Sequence, residues 1–95
     1  MVGYKTIDEM TYGEREEILF AVADTLEVSA REALLEGEKA FALNSQTMAA
    51  TIRVNADELA GENVDAASSV LEQAMNMIVE FRKERPYPAQ SFLIH

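Results

Sequence analysis

The chain has 95 residues, 48% of them hydrophobic and 26% charged, with 8 Lys+Arg against 17 Asp+Glu and a formal net charge of -9. That is the length of one domain with enough apolar surface to fold, and the absence of cysteine excludes disulfide scaffolds, thiolate metal sites and cysteine nucleophiles. The acid excess argues against nucleic acid and membrane as partners, and a lone histidine, His95, argues against imidazole catalysis and His-built metal sites.

No apolar run follows Lys5 in the way a secretory signal requires, and no window has the length of a membrane span. A cytoplasmic location is therefore the expectation. The residues read as a single helical domain over 1–95: an arm at 1–10, a helical body at 11–85 and a tail at 86–95. The helix formers Ala, Glu, Leu and Met fill the body, no proline interrupts it before Pro86, and no segment alternates with period two. The fold class that follows is all-α.

The first helix is expected to begin at Thr11. Thr11 and Glu14 have the spacing of a capping box, in which hydroxyl and carboxylate each take one orphan N–H. Glu14, Glu16 and Glu17 crowd a first turn, where the helix dipole favours negative charge. Ile18, Leu19, Val22 and Leu26 supply an apolar stripe. A second box at Ser29 and Glu32 leaves two readings, a joint at Glu27-Val28 or one unbroken helix.

The second helix is expected to be the longest and central one. Leu34, Phe41, Met48, Ile52 and Leu59 line one stripe. Residues 40–52 carry no charge, which predicts burial on several sides. Its small residues Ala40, Ala42, Ala49 and Ala50 suit close approach by neighbours. Gly37 and the β-branched run at Thr51, Ile52 and Val54 are possible breaks, with Asn55 offering a restart. Gly61 is the expected stop, as a left-handed glycine beyond the last turn.

The third helix has the clearest pattern. Asn63 is positioned to cap it, and Val64, Ala67, Leu71, Ala74, Ile78 and Phe81 recur at alternating spacings of three and four. Arg82, Lys83 and Arg85 suit the negative end of its dipole, and Pro86 forbids continuation. The predicted architecture is a three-helix bundle with a long central helix, a capped antiparallel third helix and short apolar terminal tails. Phe41, Ile52, Leu71, Ile78 and Phe81 form its predicted core.

Chemistry is sparse. The pairs Glu14/Glu17 and Glu62/Asp65 resemble in spacing the magnesium-binding E-x-x-E and E-x-x-D carboxylates of all-α nucleotide pyrophosphatases. Both pairs also sit where helix first turns favour acids. Asn44, Ser45, Gln46, Thr47 and Thr51 read either as a polar pocket or as a buried polar layer that fixes helix register, and the layer is favoured. Met48, Met75 and Met77 read as core or as an adaptable groove. The cations near Arg82 read as a helix cap, and Tyr87 between Pro86 and Pro88 as a short extended segment. The small size, helical-hairpin potential and acidity are similar to secretion substrates of the two-helix WXG type, whose tryptophan the chain lacks.

These features predict a non-enzymatic protein with no catalytic, cofactor-binding or metal-binding residues and no cofactor. Its expected activity is protein–protein interaction or assembly, with itself as partner in a dimer or higher oligomer. The expected interface comprises Phe41, Asn44, Met48 and Ile52 with Phe92, Leu93 and Ile94 of the tail. An alternative is an acidic inhibitor or regulator that binds a basic surface on another protein. A metal-dependent nucleotide hydrolase is the third reading.

Overall fold

A computed structural model describes residues 6–84. All regular structure among them is helical: a 3-10 turn at Ile7–Glu9, then α1 (Tyr12–Leu35), α2 (Lys39–Val54), α3 (Ala56–Gly61) and α4 (Val64–Glu84). None of these helices is long and apolar enough to cross a membrane.

Helix α1 starts where the capping box places it. The Glu14 N–H donates to Thr11 Oγ1 at 3.1 Å and the Thr11 N–H to Glu14 Oε1 at 2.9 Å. The helix then runs unbroken for 24 residues, so Ser29 is not a cap. It lies fully buried in mid-helix beside Ala30 and Ala33, where only a small side chain lets α2 approach.

The residue that ends α1 is Gly37, with φ of 83°. The Glu38 N–H donates to the Ala33 carbonyl at 2.8 Å and the Gly37 N–H to the Leu34 carbonyl at 3.1 Å, the paired bonds of a Schellman motif. Left-handed backbone strains any residue with a Cβ, so glycine is required here. Gly61 does not have this role. It is the last residue of α3 with no positive φ, and a Cβ there would lie 3.2 Å from Tyr12 Cε2. Its need is for space against that ring.

The stripe expected to be one long central helix is therefore divided among three, with Leu34 in α1, Phe41, Met48 and Ile52 in α2, and Leu59 in α3. Asn55 interrupts it, with its Nδ2 donating to the Thr51 carbonyl at 2.9 Å, and leaves α2 with 16 residues and α3 with 6. The central element is α1, against which α2, α3 and α4 all pack, whereas α2 and α4 barely meet. Cα extents of 44 × 34 × 17 Å describe a flattened molecule, its short dimension roughly two helices packed about 8–10 Å apart.

Helices α1 and α2 form an antiparallel hairpin with a seam of small residues. Ala42, Ser45, Ala49 and Ile52 are the buried face of α2, against Ala23, Leu26, Ser29, Ala30 and Ala33 of α1. Leu19, Leu26 and Ile52 are the largest fully buried apolar side chains, each contributing roughly 1.5–3 kcal/mol of burial. Only one face of α2 is covered. Leu43 is 64% exposed, and Ala40, Asn44, Gln46, Thr47, Ala50 and Thr51 are also exposed, contrary to the expectation of burial on several sides. Lack of charge in residues 40–52 reflects small and amide side chains rather than enclosure.

Helix α4 begins as predicted, with the Ala66 N–H donating to Asn63 Oδ1 at 3.2 Å. Its buried positions are Ala67, Ala74 and Phe81, spaced by seven, as in a helix lying along a neighbour. Ile52 and Phe81 are thus buried as the stripe implied, but Phe41, Leu71 and Ile78 are only half-buried. Alanines face α1 closely, which pushes the larger residues to the two flanks of α4.

Candidate functional site: an uncharged groove between α2 and α4

Two side-chain contacts hold the end of α4. At its end the Phe81 ring stacks on Phe41 of α2, with centroids 4.7 Å apart and planes 8° from parallel. Nearby Arg82 Nη1 lies 3.6 Å from Glu32 Oε1 of α1. Helix α4 consequently runs with α1 and against α2. Beyond the Phe41–Phe81 stack, α2 and α4 diverge and leave an open groove of about 710 Å³.

The groove is built from one flank of each helix. Phe41, Asn44, Met48 and Thr51 recur along α2 at spacings of three and four, with Thr47 beside them, and Val70, Gln73, Met77 and Glu80 recur likewise along α4, with Asn76 beside them. Phe41, Met48, Val70 and Met77 are half-buried and form an apolar floor. Asn44, Thr47, Thr51, Gln73 and Asn76 are exposed and form a polar but uncharged rim. Among the described residues Glu80 is the one ionisable residue of the lining, and the Lys83 ammonium lies 3.3 Å from its carboxylate. In a chain of net charge -9 this is a neutral surface.

The predicted interface residues divide accordingly. Phe41, Asn44 and Met48 come together in the groove. Ile52 does not: it is 0% exposed and faces α1. The sequence stripe that joined it to Phe41 and Met48 mixed two adjacent faces of α2, the seam 42/45/49/52 and the flank 41/44/48/51. Phe92, Leu93 and Ile94 lie outside the described residues. Of the uncharged polar cluster only Ser45 is buried, and Asn44, Thr47 and Thr51 line the groove, so the cluster is not a buried layer. Met48 and Met77 meet there, while Met75 is 46% exposed on the other flank of α4, in a shallower hollow with Ile7, Ile18 and Leu71.

Gln73, Asn76 and Glu80 were not visible as site residues in the sequence. They sit off the apolar stripe of α4, and nothing in their spacing tells an outer face from a groove wall.

Several acidic residues belong to structural pairs. Arg53 of α2 reaches across to α1, where its Nε donates to Glu27 Oε2 at 3.0 Å and its Nη2 contacts Asp24. Its guanidinium carbon stands 5.8 Å from the Phe20 ring centroid. The hydrogen bonds to Glu27 and then to Asp24 raise the already high pKa of the guanidinium. Glu14 caps α1 as described, and among the described residues no three Asp, Glu or His side chains gather as a metal-binding group. Glu14, Glu17, Glu62 and Asp65 are not brought together as such a group among the described residues.

Comparison with known proteins finds no matching family model, no matching curated protein and no matching solved structure.

Proposed function

We propose that this protein is a non-enzymatic, self-associating assembly protein, most simply a two-fold dimer, in which the α2–α4 groove faces a second copy. One observation carries the reading: an apolar floor with a rim uncharged but for the Glu80–Lys83 pair, open to solvent, on a strongly acidic chain. Two copies each of charge -9 repel one another, and a face whose lining carries one carboxylate, Glu80, paired with Lys83, is where that repulsion is least. Small domains bury a modest fraction of their surface, and association is a common remedy. In this reading the three long helices act as an open three-helix bundle whose missing side is supplied by its partner.

The alternative, an acidic regulator of a basic partner, would use the carboxylates of α1. Asp24, Glu27 and Glu32 already pair with Arg53 and Arg82, which weakens the field that such a partner would meet. Salt separates the two readings. Self-association through a neutral face strengthens as salt screens the net charge, whereas binding to a basic surface weakens.

The direct test is Thr47→Glu with Gln73→Glu, which places carboxylates on both walls of the groove at exposed helical positions. Sedimentation should show weaker association with helical content unchanged. Undiminished association in the folded double variant would remove the groove from the interface.

A further inference from the structure

The groove is a site in want of an occupant, and the chain itself carries a segment that matches it. Residues 86–94 contain no charged side chain and include Phe92, Leu93 and Ile94 in succession. Elsewhere the chain is rich in carboxylates, which the neutral groove would exclude, since burying an unpaired charge is costly. We propose that segment 89–94 of one copy occupies the α2–α4 groove of the other, with Phe92, Leu93 and Ile94 against Phe41, Met48 and Met77. This rests on the self-association proposed above and names the contact that produces it.

Length is consistent with this. The groove follows α2 from Phe41 to Thr51, about 15 Å at a helical rise of roughly 1.5 Å per residue. An extended chain covers that distance with about four or five residues at roughly 3.3 Å each, so the apolar triplet and one flanking residue fill it.

Reciprocal exchange of two such segments between copies closes a two-fold dimer instead of a filament.

The natural absence of cysteine makes the contact directly testable by disulfide trapping. Full-length Met77→Cys and Leu93→Cys chains are mixed and oxidised, with Ala21→Cys, exposed on α1, replacing Met77→Cys as control. A second pair, Met48→Cys with Phe92→Cys, guards against a variant that fails to fold. The mixed disulfide should form at least about tenfold faster than with the control, because a docked segment has a high effective concentration. A dimer that shows no preferential trapping in either pair overturns this inference and leaves self-association standing. A double Met77→Cys, Leu93→Cys chain that closes within itself, with no trapping between copies, overturns the exchange. A monomeric wild-type chain overturns the reading on which the inference rests.

Discussion

Tyr12 and Asp57, forty-five positions apart in sequence, meet through a hydrogen bond of 2.8 Å from the Tyr12 hydroxyl to Asp57 Oδ1. The bond ties the start of α1 to α3, and the flat face of Gly61 lets the Tyr12 ring lie against that helix.

The pair predicts alkaline behaviour. The hydrogen bond to Asp57, followed by desolvation and the neighbouring charges of Asp57 and Glu16, holds the Tyr12 phenol above its ordinary value of 10.0. The neutral phenol is the donor, so its stabilisation is fully present below the unfolded value and is lost as pH rises through the higher folded value. Spectrophotometric titration of wild type minus Tyr12→Phe should give a midpoint above 10.0. A midpoint at or below that value would contradict the contact.

The core predicts a graded response. Leu26→Ala, at a fully buried position, should cost about 2–5 kcal/mol. Leu71→Ala and Ile78→Ala should cost less, since both residues are half-buried. Leu35→Ala should stay within roughly 0.5 kcal/mol, because that side chain is 88% exposed. Urea denaturation of the four variants checks the order, and an Ile78→Ala loss equal to that of Leu26→Ala would mean α4 is seated differently.

Part of this core was legible from spacing: Ile52 and Phe81 are buried, whereas Phe41, Leu71 and Ile78 are half-buried. The capping box at Thr11, the Asn63 cap and the α4 stripe carry local signals that tertiary contacts did not overrule. The hairpin seam was harder to read, because Ala42, Ser45 and Ala49 are small and give little hydrophobic signal, so the larger Phe41 and Met48 drew attention to the flank. The groove has the same cause. Phe41, Asn44 and Met48 could be named from one helix, but Val70 and Met77 become their neighbours only once α1 holds α4 apart from α2.

The glycines separate two roles. Gly37→Ala should destabilise by about 1–2 kcal/mol, the cost of a Cβ in left-handed backbone. Gly13, in the first turn of α1, would bring a Cβ into ordinary contact with Thr11 Oγ1 at 4.0 Å, and Gly13→Ala should stabilise by about 0.5 kcal/mol through helix propensity. Thermal melts decide both signs, and a stabilised Gly37→Ala chain would mean that the Schellman turn is not formed.

Ser29 and Ser45 stand at equal distances either side of Gly37, both 0% exposed, with hydroxyls that have no hydrogen-bond partner among the described residues. Removing an unsatisfied buried hydroxyl relieves a desolvation cost of about 1–3 kcal/mol. Ser29→Ala and Ser45→Ala should therefore be neutral or stabilising in chemical denaturation. A clear loss in either would show that the hydroxyl has a bonding partner in solution.

The central claim is that this chain associates with itself through a neutral groove. Light scattering of the gel-filtered, full-length protein at micromolar concentration tests it most directly. The account predicts a species of twice the 10.6 kDa chain mass, more abundant at high salt than at low salt. A species of single-chain mass across that range of salt would contradict it.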